Sequence, residues 1–77
     1  MYEQGNDKLD LHGVKHQDVQ RAVDSFLWKN HDNLPVIIVT GNSESMKKEV
    51  INIIADYNYD YRIGDILQIN TGYIEVY

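Results

Sequence analysis

The chain has 77 residues, of which 43% are hydrophobic, so it can build one folded domain around one core but not two domains. It has no cysteine, which excludes disulfides, thiolate nucleophiles and cysteine-based zinc sites and leaves hard ions such as Mg²⁺ as candidate metals. Twelve acidic and seven basic residues give a formal charge of −5, which counts against tight binding to the phosphates of DNA or RNA.

The first half of the chain predicts a tail, a strand and a helix. Residues 1–7 are polar and show no hydrophobic period, so we expect a flexible tail. Apolar and polar side chains alternate over Lys8–His12, which predicts a half-buried strand that ends at Gly13. Apolar residues recur at helical spacing over His16–Asn30, which predicts a helix with one buried stripe.

The second half predicts a strand, a helix and a pair of strands. Val36–Thr40 begins with four β-branched residues, which is typical of a buried central strand. Helical spacing returns from Ser43 to Asn58, and Ser43 or Ser45 can cap the first turn. Strand-forming residues then predict strands at Tyr59–Ile63 and Tyr73–Tyr77. The turn signals between these strands are Gly64-Asp65 and Asn70-Thr71-Gly72.

This βαβαββ order predicts an α/β fold, a two-layer sandwich with a mixed sheet of four or five strands. Strand–helix–strand crossovers are right-handed, so two in succession place both helices on one face of the sheet. Asp10 and His12 then project from the open face. The expected core residues are Leu9, Leu11, Val23, Phe26, Ile37, Val39, Val50, Ile53 and Ile54.

Two polar segments follow the first two predicted strands and should meet at one sheet edge, where ligands gather in open α/β folds. Asp10 can hold a hard cation or orient an imidazole, and His12 can transfer protons near neutral pH. The turn Thr40–Ser43 can present backbone N–H groups to an anion. A carboxylate, an imidazole and backbone N–H donors are together the groups that cleavage of a phosphodiester can use.

Each of these features also has an ordinary structural interpretation. An Asp at the end of a strand is more often a solvated side chain or a turn former, and small residues at Thr40–Ser43 suit any strand-to-helix connection. Lys47 and Lys48 oppose the dipole at the start of the second helix, which favours a nearby anion, although solvated lysines are common there.

Two motifs, together with the aromatic–arginine pair Tyr61-Arg62 and the closing strand, carry a family resemblance. They are Leu9-Asp10-Leu11-His12-Gly13 and Val36-Ile37-Ile38-Val39-Thr40-Gly41-Asn42-Ser43. The chain from Lys8 to Tyr77 thereby resembles the Smr (small MutS-related) domain, which opens with L-D-x-H-G and carries an H/T-G-x-G turn after its second strand. The sequence departs from this pattern at Ser43, where the family has its second glycine, and at Asn42, where many relatives carry Lys or Arg.

The resemblance implies a sandwich similar to the C-terminal domain of translation initiation factor three. It also implies nicking or RNA-cleaving endonuclease activity, or structure-selective nucleic-acid binding, in DNA repair or recombination. Parts of the family depend on a divalent metal, here Mg²⁺ or Mn²⁺. By position, Asp10 and His12 match the family's L-D-x-H pair, and Thr40 and Gly41 match the start of its second motif.

The leading hypothesis is a stand-alone Smr-like domain that cleaves DNA or RNA as a metal-assisted endonuclease. In it Asp10 binds the metal or orients His12, and His12 is the general acid or base. The predicted phosphate contacts are Gly13, Thr40, Gly41, Asn42, Ser43, Lys47, Lys48 and Arg62. Because the chain is acidic, we expect its nucleic-acid binding to be weak and salt-sensitive.

The alternative hypothesis is a non-catalytic adaptor that binds nucleic acid or a protein through the same edge or the open sheet face. That face could also join two copies into a homodimer. No apolar run approaches the roughly 20 residues of a bilayer span, and the N-terminus lacks the layout of a signal peptide. We therefore expect a soluble, cytoplasmic protein without a membrane partner.

Overall fold

The computed structural model describes residues 8–64 and 72–77, which form six elements in the predicted order. These elements are β1 (Lys8–Asp10), α1 (His16–Lys29), β2 (Val36–Val39), α2 (Glu44–Asp56), β3 (Tyr61–Ile63) and β4 (Tyr73–Val76). The α/β fold is confirmed, with four strands in the described part of the chain. The predicted tail at 1–7 and the turn positions 65, 70 and 71 lie outside the described residues.

The sheet is mixed and has the strand order β1-β2-β4-β3. β1 and β2 are parallel neighbours, as expected, whereas β4 is antiparallel to both β2 and β3. One row across the sheet pairs Asp10 with Val39 and Val39 with Tyr73. The carboxyl ends of β1 and β2 therefore lie side by side at the same edge.

Both helices pack on one face of the sheet. Leu9, Ile38 and Ile74 form a row across β1, β2 and β4 and are all buried, so they mark the covered face. Buried side chains of α1 and α2 join the same core cluster. Its members are Leu9, Leu11, Val19, Val23, Phe26, Leu27, Val36, Ile38, Met46, Val50, Ile53, Ile54, Ile74 and Val76.

The predicted inward side of β2 is wrong. Val36 and Ile38 face the helices, whereas Ile37 and Val39 are only partly buried on the open face. Four consecutive β-branched residues carry no polar–apolar alternation, so the pattern does not say which pair points inward. The register with β1 decides it, because Leu9 pairs with Ile38.

Local hydrogen bonds set the helix ends and join the two helices. Of the two candidate serines, Ser43 is the N-cap of α2, and its Oγ accepts the backbone N–H of Met46 at 3.2 Å. Near the other end of α2, the Tyr57 hydroxyl donates to Asp24 Oδ1 on α1 at 3.0 Å. Neither helix in the described part of the chain has the length and hydropathy needed to cross a bilayer.

Candidate functional site

The loops that follow β1 and β2 leave the sheet together. The backbone N–H of Leu11 donates to the carbonyl of Val39 at 2.9 Å and carries the parallel pairing up to the loops. Each loop then enters a helix, so the N-termini of α1 and α2 lie at this edge. His16 Nδ1 on α1 lies 2.9 Å from Glu49 Oε1 on α2 and joins the two helices there. We call the segments His12–Lys15 and Thr40–Ser43 the loop edge.

Asp10 and His12 do not form a pair of parallel side chains on one strand. β1 ends at Asp10, and His12 lies in the turn that follows. The Asp10 carboxylate accepts the backbone N–H of His12 at 2.8 Å, an Asx-type turn that ends the strand early. Asp10 therefore shapes the loop, and the exposed imidazole of His12 projects from the turn rather than from the sheet.

Each loop turns at a glycine with positive φ. Gly13 has a φ of 81° and Gly41 a φ of 69°, in the left-handed region that glycine adopts without a steric penalty. A Cβ at either position would meet no atom within 4 Å, so the backbone angle, not the space, requires glycine. Ser43, where the resemblance places a further glycine, has an ordinary extended conformation with a φ of −76°.

The predicted anion cradle at Thr40 and Gly41 is not available in the expected form. The N–H groups of Thr40 and Gly41 both donate to the carbonyl of Gly72, at 2.9 and 2.8 Å. The Thr40 side chain, which is nearly buried, donates to the Gly41 carbonyl at 3.0 Å. These donors hold the loop against the start of β4, a contact between distant segments that the local sequence did not reveal.

Of the two predicted lysines of α2, Lys47 is not available as an exposed cation. Lys47 is only 7% exposed, and its Nζ lies 3.8 Å from Glu44 Oε2. It falls at helical spacing with Val50 on the buried stripe of α2, a signal that was readable in the sequence. Lys48 is exposed.

Arg62 lies on the open face two strands away from β2. Its guanidinium binds the Glu75 carboxylate of the neighbouring strand. The pairing register aligns Arg62 with Glu75 and Glu75 with Ile37, in the middle of β2 rather than at its carboxyl end. Arg62 is therefore outside the loop edge.

The predicted metal position at Asp10 has too few ligands to hold an ion on protein groups alone. Within residues 8–64 and 72–77, no three His, Asp or Glu side chains come together as a metal site. Asp10 Oδ1 already accepts the His12 N–H, and Mg²⁺ needs a nearly octahedral set of oxygen ligands. These residues do not fit a resident Mg²⁺ or Mn²⁺.

The open face carries a groove whose lining residues the sequence did not indicate. Its volume is about 580 Å³, and its lining includes side chains of β1, β2 and β4 together with part of the loop edge. The lining residues are Lys8, Ile37, Val39, Gly41, Asn42, Gly72 and Tyr73. The alternation of Tyr73 and Glu75 with buried Ile74 and Val76 was the available signal, but the strand order was needed to place Tyr73 beside Val39.

Comparisons of the chain with protein families, with curated proteins and with solved structures gave no match.

Proposed function

We propose that this chain is an Smr-like domain that acts on DNA or RNA as an endonuclease, with the loop edge as its site. The observation that carries the proposal is the side-by-side exit of the two motif-bearing loops, joined by the hydrogen bond from Leu11 to Val39. The loop that carries the exposed His12 and the loop that carries Gly41 thereby leave the sheet side by side, although 28 positions separate Gly13 from Gly41 in the sequence.

The chemistry assigned to this edge is proton transfer by His12. An imidazole changes protonation near neutral pH and can accept a proton from the attacking hydroxyl or donate one to the leaving oxygen of a phosphodiester. Asp10 acts as a positioning residue, because its carboxylate holds the backbone of His12. The positive ends of two helix dipoles and the exposed Lys15 and Lys48 favour the phosphate.

No step of this proposal passes through a metal ion, since the described residues do not fit one. A divalent ion that assists the reaction would have to bring its remaining ligands from the substrate or from water. Cleavage is therefore measured in Mg²⁺, in Mn²⁺ and in excess EDTA, as parallel arms of one experiment.

The test uses supercoiled plasmid and a structured RNA as substrates for wild type, His12→Gln and His31→Gln. His31 is the matched control because it is also exposed but lies beyond the far end of α1. We expect His12→Gln to slow cleavage at least about a hundredfold, the typical contribution of a general acid or base. His31→Gln should cleave at the wild-type rate. Full activity of His12→Gln, or no cleavage of either substrate by wild type, contradicts the proposal.

A second candidate is the non-catalytic adaptor. It is favoured by the polar groups of both loops that are already engaged within the protein, namely the Asp10 carboxylate and the N–H groups of Thr40 and Gly41. The same assay distinguishes the two functions, since an adaptor retains the nucleic acid on a filter or in a gel shift and leaves it intact.

A further inference from the structure

The groove on the open face continues the loop edge. Gly41 and Asn42 belong to the loop after β2 and also line the groove, so a strand of nucleic acid bound at His12 can pass directly into it. The volume of about 580 Å³ is within the range of small-molecule pockets. The groove is therefore placed to receive a part of the same ligand.

The groove has apolar and aromatic residues that suit a base and a lysine that suits a phosphate. Ile37 and Val39 form an apolar floor, and Tyr73 pairs with Val39 across β2 and β4 and contributes an aromatic ring. Lys8 lies on the neighbouring edge strand, in register with Ile37. Within the described residues no ion pair engages Lys8, so its ammonium can contact a phosphate. Aromatic and apolar side chains stack on bases of any sequence, whereas a nearby cation holds the backbone.

The charges on the open face favour a single inserted base over a duplex lying on the sheet. Asp10 follows Lys8 on the same face, and Arg62 is paired with Glu75, so acids and bases balance across the face. A duplex needs a row of cations for its phosphates and keeps its bases stacked inside. One base in the groove with one phosphate at Lys8 requires neither.

We propose that this groove binds an unpaired nucleobase next to the cleaved bond, so that the substrate is single-stranded or carries an unpaired nucleotide. The inference rests on the proposed function and specifies its substrate class. It assigns Tyr73 as the stacking residue and Lys8 as the phosphate contact of that nucleotide.

The test is a fluorescence titration with a single-stranded oligonucleotide that carries one 2-aminopurine, and with the duplex of the same sequence. Stacking of the probe base on Tyr73 should quench its fluorescence. We expect Tyr73→Leu to weaken binding of the single strand about tenfold and to remove the quenching, while duplex binding stays unchanged. Tyr61→Leu is the matched control, because Tyr61 is an exposed tyrosine that pairs with the buried Val76 and so belongs to the opposite face.

A second variant keeps the test valid if Tyr73→Leu is unstable by thermal melting. Lys8→Gln changes an exposed side chain. It should reduce the slope of the logarithm of the single-strand binding constant against the logarithm of the salt concentration by the amount that corresponds to about one phosphate contact. Unchanged quenching in folded Tyr73→Leu, or unchanged salt dependence in Lys8→Gln, overturns the inference and leaves His12-dependent cleavage standing. Absence of any binding to single strand and duplex overturns the inference together with the proposed function.

Discussion

At the scale of single residues, Asp10 ends β1 and shapes the loop that carries His12. Its carboxylate accepts a backbone hydrogen bond at the point where β1 ends, so it determines the path of the His12 loop. In the proposed function, Asp10 would act on His12 through the backbone and without contact with the substrate. Replacing Asp10 by asparagine removes the charge but keeps the hydrogen bond, because the side-chain amide oxygen can also accept the His12 N–H.

We predict that Asp10→Ala lowers the free energy of unfolding by about 1 kcal/mol, since it removes the acceptor for His12 N–H. Asp10→Asn should stay within about 0.5 kcal/mol of wild type, because its side-chain oxygen can take the same position. Urea unfolding followed by circular dichroism measures both. In the cleavage assay Asp10→Asn should retain most of the activity that Asp10→Ala loses. Equal loss of cleavage in both variants would show that the charge of Asp10 itself takes part in the reaction.

Lys47 is the residue whose structural role differs most from its predicted one. Its side chain is nearly buried within the packed stripe of α2, with the ammonium directed to Glu44 at the surface. Long lysine stems commonly cover apolar surface in this way. A charge-reversal test of phosphate binding therefore uses the exposed Lys48, because a glutamate at position 47 would place a carboxylate against the core.

At the scale of elements, α2 is defined at its start by Ser43. The Ser43 hydroxyl accepts the N–H of Met46 and satisfies one of the donors that every helix leaves open in its first turn. The same cap connects the loop edge to the core, because Met46 is buried one turn later. The stability of the helix and the shape of the loop are thus linked at this residue.

We predict that Ser43→Ala destabilises the protein by about 1 kcal/mol and that Ser43→Asp retains wild-type stability. Aspartate also accepts the hydrogen bond and adds a favourable interaction with the positive end of the helix. Thermal or urea unfolding of the three proteins tests this. A loss in Ser43→Asp as large as that in Ser43→Ala would argue against a capping role.

The Tyr57–Asp24 contact couples the two helices and carries a pH dependence. Desolvation at its partly buried position, followed by the hydrogen bond to Asp24, raises the pKa of the Tyr57 hydroxyl above its ordinary value. The folded state therefore holds this proton more tightly than the unfolded state does. Its contribution to stability is fully present below the unfolded pKa of about 10 and is lost as the pH rises through the higher folded pKa.

We predict that Tyr57→Phe makes the free energy of unfolding less dependent on pH between about pH 9 and 11 than it is in wild type. Near neutral pH the variant should be less stable by roughly 1 kcal/mol, because the hydrogen bond to Asp24 is lost. Urea unfolding at several pH values measures both effects. Parallel pH profiles for the two proteins would exclude Tyr57 as the source of alkaline destabilisation.

At the scale of the whole molecule, the two faces of the sheet have different roles. The helices cover one face, where Ile38 is fully buried at the centre of β2. The other face keeps Ile37 and Val39 partly accessible, which is what makes a groove beside the loop edge available. One four-residue strand thus supplies both the core and the candidate binding surface.

We predict that Ile38→Val lowers the free energy of unfolding by about 1 kcal/mol, because it removes a methylene group from close packing. Ile37→Val makes the same chemical change one residue earlier and should remain within about 0.5 kcal/mol of wild type. The pair is its own control in urea unfolding. A larger loss for Ile37→Val would place the helices on the opposite face of the sheet.

By itself, the sequence determined the features that depend on local periodicity. Helical spacing and strand alternation predicted the order of elements, both helices to within two residues at each end, and half of the fourteen core residues. These signals are local, because each arises from neighbours within one or two turns of the same element. The chain order of two strand–helix units was also enough to place both loops at one edge.

Only the tertiary structure decided which side of β2 faces inward, which carbonyl accepts the hydrogen bonds of the loop after β2, and where the side chain of Arg62 lies. Pairing with Leu9 orients Ile38, and the carbonyl of Gly72 takes the N–H groups of Thr40 and Gly41. The groove likewise exists only because β4 lies between β2 and β3 and brings Tyr73 beside Val39. Each of these contacts joins residues that are 28 or more positions apart, so no pattern within a single element could encode it.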